Sequence, residues 1–489
     1  MEHGNRKVQY LVTLAISLAA VTTGACLTWT TAVIPKFYNN ETNINITDAG
    51  ISWMAAIASP GFVAGSLASR FVSDKFGRRT TLMSSALPIA VGSIATVSGS
   101  NIWFLCTARF LWGVGIGMVS TVSSIYLAEI ADKDIRGSLT VANRFFVNFG
   151  IFLLLVIGPF VSYSTINYMI LALPICYLVS CWLVPETPYY YLKEGKVDKA
   201  RQVLKKLRGF KNEKILEDEL SIMRSDVNKE MRRSGTVKEL FTGKQYRKAV
   251  IIIGGLKIGQ MMSGVIVIQH YLGRIMQDSR SDMNLATVFV VFGALRFVVG
   301  IMSSVIADKV GRRTLLVYSF LGTGLSLTLV AAYFFSQEVI KIEQTQLGPY
   351  AVIVFIGIIL SNIISTLGYN SIVYAVQGEI FPLNVKSLAV TCLNIFGGTL
   401  NFIVTKTYQP LKDVSGVFGV FSMFTIMSFA SVVFVYFYVP ETKGKSLSEI
   451  QELLQGKYYV DGNEQESDVV NNDNDGTELK LLETKDTSR

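Results

Sequence analysis

Apolar residues fall in long unbroken runs along this chain rather than in the short alternating patterns of a half-buried helix or strand. A bilayer core about 30 Å thick is crossed by about 20 helical residues at 1.5 Å each. Twelve runs reach that length: Tyr10 to Ile34, Ile51 to Val72, Thr81 to Ser98, Ile102 to Leu127, Thr140 to Val161, Ile166 to Val184, Ala249 to Leu272, Met283 to Ile306, Leu315 to Phe335, Gly348 to Val376, Leu388 to Tyr408 and Val417 to Val439. Gly and Pro inside several of them are compatible with membrane helices whose neighbours satisfy the freed backbone groups. The pattern predicts an all-α membrane protein of twelve transmembrane helices.

Composition agrees. Of 489 residues half are hydrophobic and 17% charged, against about a quarter charged in soluble proteins. The first run lacks the short apolar core and small-residue cleavage site of a signal peptide, so it is read as a spanning helix and the mature chain as starting near Met1. Cys26, Cys106, Cys176, Cys181 and Cys392 all lie inside apolar runs, which gives no disulfide framework. His3 and His270 show no ligand spacing, so no metal is expected. No nucleophile or nucleotide-binding constellation stands out, so neither a catalytic residue nor a cofactor is expected, and an enzyme is not.

Lys and Arg concentrate in alternate loops, at Arg70 to Arg79, Lys133 and Arg136, Lys193 to Lys248, Lys309 to Arg313 and Lys386. Basic loops stay in the cytoplasm, which places this set and both termini there. The net charge of +9 is then a topology signal and not a nucleic-acid footprint. Asn40-Glu41-Thr42 and Asn45-Ile46-Thr47, in the first outward loop, are glycosylation acceptor sequences on the lumenal side. The expected organisation is a six-helix bundle over 1–184, a cytoplasmic linker with short amphipathic helices over 185–248, a second six-helix bundle over 249–439, and a largely disordered tail over 440–489, whose Asp, Glu and Asn content is high.

Three signposts of the first half recur in the same order in the second, roughly 235 to 255 residues later. Asp74-Lys75-Phe76-Gly77-Arg78-Arg79-Thr80 returns as Asp308-Lys309-Val310-Gly311-Arg312-Arg313-Thr314. Glu129-Ile130, with Arg136 seven residues after the Glu, returns as Glu379-Ile380 with Lys386. Pro185-Glu186-Thr187 returns as Pro440-Glu441-Thr442. Duplication accounts for this, and it predicts two pseudo-symmetric halves around a central cavity that opens alternately to either side.

Those motifs resemble the sugar porter family of the major facilitator superfamily, in particular its trehalose and glucose facilitators, from the first helix to Lys445. The resemblance implies a small-molecule carrier in the plasma membrane working as a monomeric transport unit. It also implies a cytoplasmic gate in which Glu129 and Glu379 pair across the halves with Arg78, Arg79, Arg312 and Arg313 and hold the inner side shut when the cavity faces out, with Asp74, Asp308, Arg136 and Lys386 in the same motifs. Arginine suits such a gate because its planar fork meets a carboxylate with two hydrogen bonds.

The family's sugar contacts map unevenly onto this chain. In the seventh helix one amide of three remains, in Gln260-Met261-Met262-Ser263-Gly264, with Ile266 beyond it. The fifth-helix Gln falls at Arg144, the eighth-helix Asn at Arg296, the tenth-helix Gly-Pro-x-Pro-Trp stretch at Asn370-Ser371-Ile372-Val373-Tyr374, and the eleventh-helix Asn-Trp pair at Gly397-Gly398. Gln260, Ser263, Tyr374, Lys257, Arg144 and Arg296 are therefore the candidate substrate-binding residues. Lys257, Gln260 and Gly264 share one helix face. Cations this deep in a bilayer usually face a cavity; otherwise Arg144 and Lys257 snorkel to the interface and Arg296 bonds to carbonyls or hydroxyls. Facilitative uptake of a hexose, trehalose or polyol is the leading expectation, since the first helix carries no Asp or Glu for proton coupling. An organic-anion carrier and a non-transporting nutrient sensor are the alternatives.

Overall fold

The computed structural model describes residues 7–39, 41–42, 44–132, 135–182, 184–209, 213–232, 237–381, 383–443, 449–450, 452 and 454. Among them the chain is helical, with no strand. The first half contains spans Lys7–Tyr38, Asp48–Phe76 with a step at Ile57, Arg78–Ser98, Ile102–Ile130, Arg136–Ile157 and Tyr163–Trp182. Four short helices follow, Pro188–Lys193, Val197–Arg208, Glu213–Arg232 and Val237–Thr242. They form the linker, and the end of the molecule they occupy is termed the linker end; the opposite end is the far end.

The second half differs from the hydropathy runs in two places. The seventh span is two helices, Lys244–Met262 and Val265–Asp278, parted by Gly264 at φ 78°. The tenth is likewise two, Val352–Leu367 and Tyr369–Ile380, meeting at Gly368. Hydropathy averages over a single-residue break and so reads each pair as one run. The eighth and ninth spans are Leu285–Val310 and Arg312–Glu338. The final helical stretch, Leu383–Tyr438, has 56 residues, far more than one crossing needs. Gly416, with φ 72° and ψ 177°, turns the chain there, leaving an eleventh and a twelfth span and completing twelve.

In lipid, helices associate by close packing rather than by expulsion of water, so small residues mark the tightest contacts. The second and fourth spans show it through Gly61 and Gly65 against Gly113 and Gly117. A Cβ added at Gly65 lies 2.0 Å from the Val114 carbonyl oxygen, and one at Gly117 lies 2.2 Å from that of Phe62. The halves themselves meet along three seams, first span on seventh, second on eleventh and fifth on eighth. The last two exchange under the repeat that relates the halves, so the seam carries the duplication's symmetry.

The apolar core is divided unequally along the membrane normal. At the far end one continuous cluster draws on both halves, joining Trp29, Trp112 and Ile151 to Tyr271, Phe289, Phe334 and Phe421. Toward the linker end each half keeps its own cluster, one around Ile16, Tyr126 and Tyr177 and the other around Leu256, Phe320 and Val376. The linker's first helices dock on the first half, where Arg208 donates to the carbonyls of Ile130 and Ala131 at 2.8 and 3.2 Å and pairs with Glu219 at 2.9 Å, while Leu240 of its last helix packs into the second half's cluster. A cation at the last carbonyls of the fourth span is where the helix dipole favours it.

Replacing Gly65 with Leu drives a side chain into the fourth span's backbone, and overpacking of this kind costs about 1–3 kcal/mol. The expected result is a lowered thermal unfolding midpoint of the detergent-purified protein; an unchanged midpoint contradicts the close approach.

Candidate functional site

The repeated motifs assemble, in each half, into the same latch at the linker end. Gly77 at φ 94° and Gly311 at φ 102° turn the chain into the third and ninth spans, a backbone region that side chains disfavour. The first N–H groups of those helices then need acceptors. Glu186 supplies both of its oxygens, to Arg78 N and Arg79 N at 3.0 Å each. Glu441 does the same for Arg312 N and Arg313 N at 2.9 and 3.1 Å. A carboxylate at a helix N-terminus gains from hydrogen bonds and dipole together.

Around this cap the arginine side chains repeat their contacts as well. Arg78 pairs with Glu129 at 3.0 Å and Arg312 with Glu379 at 3.3 Å. Thr187 and Thr442 donate to the second oxygens of those glutamates, and Arg79 and Arg313 donate to Trp182 O and Tyr436 O at 2.7 and 2.6 Å. The resemblance implies Glu–Arg pairing across the halves when the cavity faces out; in this structure the pairs of Arg78 with Glu129 and Arg312 with Glu379 lie within each half, because each Glu ends a span whose neighbour within the bundle begins with the Arg. Asp74 also stays within the first half, reaching Lys193 of the linker at 2.9 Å with both side chains partly exposed, a pair of small energetic weight. The side chains of Arg136, Asp308 and Lys386 lie outside the described residues, as does Asn40. Asn45 is exposed in the far-end loop between the first two spans.

The two caps differ in environment. Burial pushes the Glu186 carboxyl above its ordinary range despite the N–H groups of Thr187, Arg79 and Arg78. Burial is also the largest single influence on Glu441, but the N–H groups of Lys443, Arg312 and Arg313 together outweigh it and hold that carboxyl below the ordinary range.

Between the halves the candidate binding residues sort into layers. Nearest the linker end, Lys257 is only 1% exposed, and its ammonium lies 3.9 Å from the centre of the Tyr374 ring. Arg144, from the other half, approaches the same ring at 6.0 Å. One turn further along the seventh span, Gln260 donates to Asn370 Oδ1 at 3.3 Å, and its own Oε1 has no partner among the described residues. The seventh and tenth spans run antiparallel, so Lys257 and Gln260 at i, i+3 face Tyr374 and Asn370 at i+4, i. Lys257 therefore does not snorkel out. Ser263 is spent elsewhere: it accepts from Tyr369 OH at 2.9 Å and donates to Gln260 O, stabilising the seventh-span break beneath a Phe320–Tyr369 stack. Arg296 lies nearer the far end, where it donates to Gln269 Oε1 at 2.8 Å.

The far-end seam is closed by contacts that cross between halves. Thr31 donates to Gln269 O at 2.6 Å, Thr30 shares a hydrogen bond with His270 Nδ1 at 2.7 Å, and Ser52 donates to Lys406 O at 3.0 Å. The Lys406 ammonium sits 4.6 Å from the Trp53 ring. Below them Arg109, 1% exposed, donates to Cys26 O at 2.7 Å and Met54 O at 3.3 Å. Sequence reasoning passed over Arg109, His270 and Asn370. A charge inside the Ile102 to Leu127 run was the available signal for the first, and the place of Asn370 in the tenth-helix stretch for the third; nothing local marks His270, whose partner is 240 residues away.

Comparison with known proteins places this architecture. The family described as Sugar (and other) transporter matches residues 16–454. The chain belongs to that family. Among its relatives, the facilitated trehalose transporter Tret1 of Drosophila willistoni is 30% identical over 454 residues, covering 92% of this chain and 51% of the relative. Trehalose transporter 1 of Drosophila melanogaster is 31% identical over the same length, covering 92% and 52%. The chain thus spans about half the length of these relatives. Among solved structures, the inward open conformation of the xylose transporter XylE from E. coli superposes with a TM-score of 0.73 at 18% identity, over 91% of this chain and all of that one. The proton:xylose symporter XylE bound to 6-bromo-6-deoxy-D-glucose gives 0.71 at 19% identity, over 92% of this chain and all of that one. At such identity the likeness establishes the fold: a multi-pass major facilitator of twelve spans in two halves.

Removing the Glu186 carboxylate strips two N–H groups of their acceptor, at a cost of about 0.5–2 kcal/mol. Glu186→Ala is expected to lower the thermal midpoint, Glu186→Gln to lower it less because one acceptor oxygen remains, and Glu441→Ala to fall short of Glu186→Ala at its more exposed site. Equal midpoints for wild type and Glu186→Ala contradict the latch.

Proposed function

We propose that this family member is a facilitative transporter that carries a sugar, whether hexose, trehalose or polyol, across the plasma membrane by alternating access. The observation that carries the reading is the unequal seam. Two internally latched halves share one apolar cluster at the far end and separate clusters at the linker end, with the polar layer of Gln260, Asn370 and Tyr374 between them. Rocking the halves about that layer exposes it to one side at a time. The amides of Gln260 and Asn370 and the Tyr374 face supply the neutral hydrogen bonds and ring surface that a polyhydroxylated solute uses. The names of the trehalose-transporting relatives support the cargo class.

In this reading the linker end, with both termini, faces the cytoplasm, the structure is closed to the outside, and one chain is the transport unit. Of the gate residues, Arg78, Arg79, Glu129, Arg312, Arg313 and Glu379 fasten each half internally, and with Asp74, Arg136, Asp308 and Lys386 of the same motifs they bound the cytoplasmic opening. Passive transport follows from the charge pattern. The first span has no carboxylate, and Arg109 beside it is answered by backbone oxygens that do not titrate.

The test is uptake into reconstituted vesicles with labelled trehalose, glucose and a polyol. At least one is expected to equilibrate across the membrane, at a rate that a protonophore leaves unchanged when the membrane potential is clamped at zero. Equilibration of none of them, or accumulation that a protonophore abolishes, contradicts the proposal.

A further inference from the structure

The spans carry charge of one sign in their interior. Arg109, Arg144, Lys257 and Arg296 lie away from the ends of the fourth, fifth, seventh and eighth spans, with Arg109 and Lys257 buried, Arg296 half-buried and Arg144 exposed, whereas every Asp and Glu in a span sits in its first or last turn. Buried charges ordinarily persist only when paired or fully hydrogen-bonded. Two of the four meet oxygens of the protein, Arg109 the Cys26 and Met54 carbonyls and Arg296 the Gln269 amide, although Arg109 Nη2 and Arg296 Nε find no partner among the described residues. Lys257 and Arg144 do not. Neither side chain makes a hydrogen bond or ion pair with any described residue, and what they share is the Tyr374 ring.

Lys257 is the sharper case because it is almost completely buried. The eleventh span packs Gly397 beside it, where an added Cβ would lie in ordinary contact with Lys257 Cδ at 3.4 Å. A ring face returns only part of what an ammonium loses on leaving water. Arg144 comes from the opposite half, so the two cations converge on Tyr374 from both sides of the seam that transport must open. The tyrosine itself is 45% exposed and stands one turn from the Asn370–Gln260 amide pair. An anion seated here meets two positive charges and a polar layer suited to hydroxyl groups.

Resting on the sugar-transport reading above, we infer that Lys257 and Arg144 receive a carboxylate carried by the cargo, and that the preferred solute is therefore a sugar acid, a polyhydroxylated carboxylate rather than a neutral sugar. Lys257 supplies the charge, Arg144 brings the other half toward the same anion, and Gln260 and Asn370 hold hydroxyls. This gives the halves a reason to close on cargo, since the anion relieves the repulsion between two like charges facing each other across the seam.

The experiment uses two probes that differ only at C6, glucose and glucuronate, as competitors of labelled glucose exchange in vesicles at zero membrane potential. Wild type is expected to be half-inhibited by glucuronate at a concentration at least tenfold below that for glucose. Lys257→Gln is expected to bring the ratio to within twofold, and Lys257→Arg to keep it. Thermal protection of the purified wild-type protein by each probe gives a second reading that needs no variant, and glucuronate is expected to protect at the lower concentration. Equal potency of the two probes in wild type, or a preference that survives in Lys257→Gln, overturns the inference while leaving sugar transport standing. Failure of both probes to exchange, compete or protect overturns the sugar-transport reading and this inference with it.

Discussion

A helix that begins at a membrane surface exposes N–H groups that lipid cannot satisfy, and this structure answers that constraint with one device used twice. Glu186 and Glu441 place both carboxylate oxygens on the first N–H groups of the third and ninth spans. The arginines that carry those N–H groups then reach to Glu129 and Glu379 at the ends of the fourth and tenth spans, and threonines from the Pro-Glu-Thr turns close the circuit. Three span ends in each half are thereby fixed to one another by charge-assisted bonds. Each half is fastened internally in this way, which suits the proposal that the halves move against each other at the seam.

The seam is suited to that task because its contacts are unequal. Its far end combines a shared apolar cluster with neutral hydrogen bonds such as Thr31 to Gln269, which water can replace when the halves part. A cross-half carboxylate–arginine pair in the same place would cost much more to break if buried. The charged groups are instead kept inside the halves, where nothing in the cycle needs to separate them. The breaks at Gly264 and Gly368 divide the seventh and tenth spans next to the Gln260–Asn370 layer.

The fold was legible because its signals are long or repeated. A twenty-residue apolar run survives a few polar substitutions, and a seven-residue motif that recurs half a chain later with its glycine and arginines intact is hard to produce by chance. The helix breaks were not legible, because hydropathy has no term for a φ of 78° at Gly264. The partners that the gate residues take in this structure were not legible for a different reason. Sequence shows that Glu129 and Arg78 belong to one motif set, but whether they meet within a bundle or across it depends on which span ends are neighbours, and only the packed structure fixes that. Ser263 shows the converse error, a polar residue on an expected binding face whose hydroxyl is consumed by Tyr369. Lys257 was visible as a lone charge in an apolar run, while the ring it faces, Tyr374, lies on another span.

Internally latched halves and one breakable seam make alternating access the central claim, and paired distances across the seam address it most directly. In a background lacking the five native cysteines, spin labels at exposed Lys75 and Thr314 report the linker end, and labels at exposed Asn45 and Asp282 the far end. As a transported solute is titrated into the vesicle-reconstituted protein, the account predicts that the two distance distributions shift in opposite senses, one end closing as the other opens. Distances that change in the same sense, or that stay fixed at both ends while uptake proceeds, contradict it.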